Sequence, residues 1–119
     1  MKDDIRAYLD DVLRAGRAIK AFVAGRTFDD YSSDELLRSG VERKLGIIGE
    51  SLNRIKRDEP ELLQEIPDHR DIISLRNILV HGYDTIDDRI VWSIIEEELD
   101  ALLDAVGTLL QQKTTKQEQ

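Results

Sequence analysis

Residues 41–55 read VERKLGIIGESLNRI, and apolar residues recur in this stretch at steps of three and four positions. That spacing places them on one face of an amphipathic α-helix. The full stripe comprises Leu37, Val41, Leu45, Ile48, Leu52 and Ile55. Ser32 followed by Glu35 has the form of a capping box, so the pattern predicts a long helix from there to about Arg57.

This helix also contains three glycines, Gly40, Gly46 and Gly49. Each lowers the stability of a helix by ~1 kcal/mol relative to alanine. We expect such residues where another backbone approaches closely, either within the bundle or across a dimer interface.

The remaining apolar residues predict three more long helices. In the first segment the stripe comprises Ile5, Leu9, Val12, Ala15, Ile19 and either Phe22 or Val23. Gly25 is a natural helix stop, and residues 25–33 are predicted to form a loop. The third helix carries Ile72, Leu75 and Leu79, with Asp68 as its cap, and should end near His81 and Gly82.

A short helical connector precedes the third helix, with Asp58 as its cap and Pro60 in its first turn. A capping box of Thr85 and Asp88 is predicted to begin the last helix. Its apolar stripe comprises Val91, Ile94 or Ile95, Leu99, Leu102, Val106 and Leu109. These patterns predict an all-α fold, an antiparallel four-helix bundle with a short extra helix, over residues 1–110. Residues 111–119 are polar and aperiodic and are predicted to be a disordered tail.

The composition narrows the class of protein. The chain has 119 residues and no cysteine, which excludes disulfides and thiolate metal sites. It shows neither a signal peptide nor an apolar run that could span a membrane, so we expect a cytoplasmic protein without a membrane partner. The net charge is −8, but residues 1–57 hold 12 lysines and arginines against 10 acidic residues. A locally basic face on this half could therefore meet an anion.

Residues 76–87, RNILVHGYDTID, combine polar side chains with a predicted helix end. Asn77 and His81 share a helix face, and Arg76 and Tyr83 differ by only about 20° around the helix. Arg76 and His81 are about 140° apart. A long arginine side chain could still reach the histidine, because His81 lies at the last helical turn, where Gly82 can redirect the chain. The same residues also suit an ordinary helix end with a capping histidine and a solvated arginine.

The polar residues of this stretch suggest one kind of chemistry. An imidazole can exchange a proton near neutral pH, and a guanidinium suits a phosphate and the charge that develops on it. No pair of carboxylates or histidines with metal-ligand spacing accompanies them, so neither a metal nor another cofactor is expected. The corresponding reaction is metal-free cleavage of RNA, in which the histidine activates the 2′-hydroxyl group.

The pattern Arg76-x4-His81-x-Tyr83 resembles the signature of the HepT toxins, a branch of the HEPN superfamily of helical ribonucleases. Asn77 matches the polar residue that commonly follows the superfamily's arginine. The resemblance extends over residues 3–110. VERKLGIIGESLNRI is similar to the family's second helix, with Glu50 and Asn53 at matching places, and IVWSII is similar to its last helix. His69 departs from the aromatic residue that relatives often carry there.

The resemblance implies a metal-independent endoribonuclease, the toxin of a toxin–antitoxin pair, that cuts transfer RNA or messenger RNA, with transfer RNA favoured. It implies a homodimer whose two motif helices line one composite cleft. It also implies a nucleotidyltransferase antitoxin of the MNT type, which transfers AMP from ATP to Tyr83. Arg76, His81 and Asn77 would be the catalytic residues, and Glu50 and Asn53 would support them. Two alternatives stay open: a non-catalytic dimer that accepts AMP, and a structural helical adaptor.

Overall fold

The computed structural model describes residues 2–81 and 86–118, and over these ranges the chain forms helices and no strand. The helices are α1 (Asp3–Val23), α2 (Phe28–Ser32), α3 (Glu35–Asp58), a 3₁₀ helix (Pro60–Glu65), α4 (His69–His81), α5 (Asp88–Glu97) and α6 (Leu99–Glu118). This architecture confirms the predicted all-α fold.

Helix α3 is the centre of the bundle, since it packs against both α1 and α4. All six residues of its predicted stripe are buried, as are the corresponding residues of α1. The sequence left either Phe22 or Val23 as the last residue of the α1 stripe. Val23 has this position, because it is buried and Phe22 is 39% exposed. On α4 Ile72 and Leu75 are buried, and Leu79 is half-buried against the core.

Several predicted helix starts are wrong. The N-cap of α3 is Asp34, whose carboxylate accepts a hydrogen bond from the Leu37 N–H, and Ser32 instead ends α2. Likewise Asp87 caps α5 by accepting a hydrogen bond from the Arg89 N–H, and the predicted cap Thr85 lies outside the described residues. Aspartate, serine and threonine are all favoured N-caps, so the residue type alone does not select one of them. In both places the aspartate directly before the helix is the cap. Asp58 is the last residue of α3 and pairs with Arg57, so it does not cap the connector.

The predicted loop over residues 25–33 contains the short helix α2. Thr27 and Asp30 form a capping box there, since each side chain accepts a hydrogen bond from the other's backbone N–H. Tyr31 is fully buried, and its ring packs against Trp92 of α5 with 5.4 Å between the centroids and a tilt of 37° between the ring planes. A single helical turn thus closes one side of the core through an aromatic contact.

The predicted last helix is broken at Glu98 into α5 and α6. The change of direction lets α5 pack on α2 while α6 packs on α1. No glycine or proline marks this point in the sequence, so tertiary packing and not local propensity decides it. Helix α6 continues to Glu118, so the backbone is helical over most of the predicted tail.

None of the helices in the described ranges combines the length and the apolar character that a bilayer-spanning segment needs.

An acidic cluster lies where the start of α4 meets the break between α5 and α6. Carboxylate oxygens of Asp68, Asp71 and Glu98 all lie within 4.8 Å of one another. Burial raises the pKa of Glu98 to about 7, and a hydrogen bond with Asp71 and the charges of Asp71 and Asp68 act in the same direction. Once Glu98 loses its proton, these like charges therefore oppose the approach of the start of α4 to Glu98.

We expect Glu98→Gln to make stability less dependent on pH. A carboxyl group whose pKa is raised in the folded state favours folding below its ordinary pKa, and that contribution is lost as the pH rises through about 7. The variant should therefore have a higher free energy of unfolding than the wild type above that pH, and the difference should shrink in acid. Urea unfolding at a series of pH values measures this. Glu96→Gln, an exposed position on α5, is the matched control. An equal effect of Glu98→Gln at both ends of the pH range would contradict the expectation.

Candidate functional site

The sequence-predicted site lies on the second half of α4, against the middle of α3. Buried Ile72, Ile73 and Leu75 anchor α4 in the core. Arg76 follows Leu75 directly, and its side chain is only 23% exposed. The packing of α4 therefore lays this arginine along the surface of α3 instead of leaving it in solvent.

Arg76 belongs to a network of charge-assisted hydrogen bonds. Its Nη2 pairs with the carboxylate of Glu50, and its Nη1 donates to Oδ1 of Asn77 at 3.1 Å. The same carboxylate also meets Nε of Arg54 at 3.3 Å. One negative charge thus lies between two permanent positive charges, and the network keeps a net positive charge.

Glycine at position 49 is what allows this arrangement. A Cβ atom there would collide with Cβ of Arg76, lie 2.8 Å from its Cγ and approach the carbonyl oxygen of Ile72 to 3.1 Å. These neighbours are backbone and the base of a side chain, so they cannot move without shifting α4. The predicted close approach of another backbone is therefore confirmed at Gly49. The neighbouring backbone there is that of α4 in the same chain.

The other two glycines of α3 have different surroundings. A Cβ atom at position 40 would lie 3.4 Å from the ring of Phe22, an ordinary van der Waals contact. At position 46 a Cβ atom would have no neighbour within 4 Å among the described residues. Only one of the three glycines therefore marks the approach of the α4 backbone.

The described contacts bring together three of the six predicted site residues, Arg76, Asn77 and Glu50. His81 is exposed and is the last residue of α4, five positions beyond Arg76. Asn53 is half-buried on α3, less than one turn after Glu50. Tyr83 lies outside the described residues.

Two residues of the site were not singled out by the sequence. In the sequence Gly49 is one of three glycines on the same helix, and its contact with Arg76 depends on how α4 packs. Arg54 is one of the 12 basic residues of the first half of the chain, and composition alone does not distinguish it from the others. Its pairing with Glu50 has a sequence signal, because the two stand four positions apart on one helix.

Comparisons with known proteins address this region directly. The family model described as "Ribonuclease HepT-like" matches residues 12–109. The chain belongs to the HepT-like ribonuclease family. The matched residues include every predicted site residue.

Relatives of the HepT-like chain have names that agree with this family. It is 33% identical over 102 residues to "Probable ribonuclease HepT" of Thermococcus cleftensis, covering 86% of this chain and 92% of that protein. It is 32% identical over 98 residues to a "Putative RNase" of Methanocaldococcus jannaschii, covering 82% and 89% respectively. A further "Putative RNase", from Caldanaerobacter subterraneus subsp. tengcongensis, is 30% identical over 108 residues, which cover 91% and 96%. No solved structure matches the chain.

Alanine substitutions at Gly49 and Gly46 should have opposite effects on stability. Gly46→Ala meets open space and gains up to ~1 kcal/mol from helix propensity. Gly49→Ala gains the same propensity but overpacks the contact between α3 and α4, which typically costs about 1–3 kcal/mol. Chemical denaturation measures the free energy of unfolding of both variants. Because both positions lie on α3, the gain from helix propensity is the same, and the difference between the variants gives the steric effect. Equal stability of the two variants would show that α4 does not lie against Gly49.

Proposed function

We propose that this HepT-like chain is the toxin of a toxin–antitoxin pair and cleaves RNA without a metal ion. The observation that carries the proposal is the half-buried Arg76, held by Glu50 and Asn77 within the family's matched region. An arginine fixed in this way is preorganised for a phosphate, because little side-chain freedom remains to be lost on binding.

The bonding of Arg76 leaves donors for a substrate. A guanidinium has five N–H groups, of which Glu50 and Asn77 each take one. A third, on Nε, is buried without a hydrogen-bond partner among the described residues. One N–H on each terminal nitrogen therefore remains. In the proposed reaction these two groups bind the oxygens of the scissile phosphate and stabilise the charge of its transition state.

His81 supplies proton transfer in this proposal. Its imidazole takes the proton of the 2′-hydroxyl group as that oxygen attacks the neighbouring phosphorus atom. The bond from phosphorus to the 5′-oxygen then breaks, and the departing oxygen receives a proton. The products are a 2′,3′-cyclic phosphate and a 5′-hydroxyl end. Asn77 keeps the guanidinium in place through its bond to Nη1.

A second copy of the chain is the proposed partner at this site. Ile78 of α4 and Ile90 of α5 line one groove and are 48% and 55% exposed, and Val80 of α4 is 59% exposed. Pairing of two such faces would bring two motif helices to one cleft. Transfer RNA is the favoured substrate for that cleft, and messenger RNA is the other candidate.

The proposed antitoxin is an MNT-type nucleotidyltransferase that modifies Tyr83. The tyrosine oxygen would bond to the α-phosphorus of ATP, and pyrophosphate would leave. Tyr83 stands two residues after His81, so their Cα atoms are at most roughly 7 Å apart. An adenylate at that distance places a negative phosphate and a bulky nucleoside beside the catalytic residues, where they compete with RNA.

Cleavage of total transfer RNA in EDTA tests the nuclease proposal. The wild type should cut, and both Arg76→Ala and His81→Ala should lose about 10²-fold or more of the rate, as expected for a lost phosphate ligand or proton-transfer group. Arg70→Ala, an exposed arginine on the same helix, is the matched control and should cut normally. An inert wild type, or variants that cut equally well, would favour the non-catalytic AMP acceptor instead.

Mass spectrometry after incubation with ATP and the antitoxin tests the modification. The wild type should gain the mass of at least one AMP group, and Tyr83→Phe should gain none because it lacks the accepting oxygen. Tyr31→Phe is the control, since the buried Tyr31 hydroxyl has no hydrogen-bond partner among the described residues. AMP on the Tyr83→Phe protein would move the site elsewhere, and no AMP on any variant would remove the antitoxin proposal.

A further inference from the structure

The network around Arg76 continues across α3 to the first helix. Glu50 links Arg76 to Arg54, and the guanidinium of Arg54 lies 5.8 Å from the centroid of the Tyr8 ring on α1. The hydroxyl of Tyr8 accepts a hydrogen bond from Nη2 of Arg57 at 3.4 Å. A continuous line of contacts therefore runs from α4, over the outer face of α3, to the beginning of α1.

From this line we infer that Arg54 and Tyr8 form a nucleotide subsite beside the scissile phosphate. Arg54 binds the neighbouring phosphate of the RNA strand, and Tyr8 stacks against the base of that nucleotide. This inference rests on the proposed function and deepens it, because it states the direction in which the RNA strand leaves Arg76.

The charges at the subsite favour an anion. Both arginines bind one carboxylate, so Glu50 neutralises at most one of the two positive charges. Both guanidinium groups contact the carboxylate of Glu50, so they lie close to each other. At that spacing they could bind two neighbouring phosphates of one RNA strand. The Arg54 side chain is 47% exposed, twice the exposed fraction of Arg76, and is open to a ligand from solvent. On a chain of net charge −8 such a site would be where RNA is attracted.

Tyr8 has two features of a base-stacking residue. It is half-buried on α1 and packs against the core, so its position is restrained while the residue keeps contact with solvent. Its ring and the Arg54 guanidinium are already paired, a geometry in which cation and π-face hold each other in place. Proteins that bind single-stranded RNA combine stacking aromatic residues with arginines in this way.

Equilibrium binding separates the two roles. The probe is a fluorescein-labelled single-stranded RNA of about eight nucleotides, within the usual site size of a single-strand binder, and the protein carries His81→Ala to prevent cleavage. In this background Arg54→Ala should weaken binding about tenfold and lower the salt slope of log K by about 0.7, the value for one lost phosphate contact. Tyr8→Leu should weaken binding about five- to 150-fold with the slope unchanged, as expected for a lost stacking contact.

Matched variants keep the result interpretable. Arg14→Ala removes another arginine that pairs with an acid four positions away on α1, here at 2.9 Å, and should leave both affinity and slope unchanged. Tyr8→Phe keeps the ring and should restore most of the binding that Tyr8→Leu loses. Circular dichroism checks that every variant is folded. In the cleavage assay Arg54→Ala should raise KM far more than it lowers kcat.

Each result has a definite meaning. The subsite is wrong, and the proposed nuclease activity is unaffected, if Arg54→Ala or Tyr8→Leu leaves RNA binding unchanged in the His81→Ala protein and cleavage unchanged in the wild-type protein. Weakened binding by both variants of a chain that never cleaves supports the subsite and overturns the nuclease. A wild type that neither binds nor cleaves RNA overturns both. A lowered salt slope for Tyr8→Leu would mean that the variant loses a phosphate contact. Tyr8 would then position Arg54, and its stacking role would be wrong.

Discussion

The contact between α3 and α4 at Gly49 is the constraint on which the site depends. With no side chain at this position, the α4 backbone lies near enough for Arg76 to run along α3 and reach Glu50. Glycine inside a helix lowers its stability by ~1 kcal/mol, which burial of the α3 stripe against both neighbours offsets. The arginine is consequently held in one place before any ligand arrives, at the expense of local helix propensity.

Charge is distributed so that attraction and repulsion fall at different ends of α4. Near its C-terminal half, one carboxylate is shared by two guanidinium groups, which leaves a positive surface on an acidic protein. At its N-terminal end, burial raises the pKa of Glu98, and the neighbouring Asp71 and Asp68 act in the same direction. A polyanion approaching the bundle would therefore be repelled from the start of α4 and attracted to the region around Arg76. This polarity agrees with RNA as the ligand of a HepT-like protein.

The sequence predicted the buried faces of the helices better than it predicted their ends. Apolar spacing identifies Val41, Leu45 and Ile48 as core residues because burial requires one continuous stripe, whichever residue begins the helix. Helix ends depend on small differences between nearby polar residues. Asp34 therefore replaces Ser32 as the cap of α3. The break at Glu98 has no local signal, since it arises from the positions of α1 and α2.

By itself the sequence determined the all-α class and the core positions, and it predicted side chains of the types that chemistry on a phosphate needs. The pattern of Arg76, Asn77, His81 and Tyr83 also identified the family. Only the tertiary structure decided that Arg76 pairs with Glu50, that Gly49 and not Gly46 meets α4, and that Arg54 and Tyr8 extend the network. The physical reason is that helical periodicity fixes the relations along one helix. The relations between helices depend on crossing geometry and side-chain packing, which residues far apart in the sequence determine together.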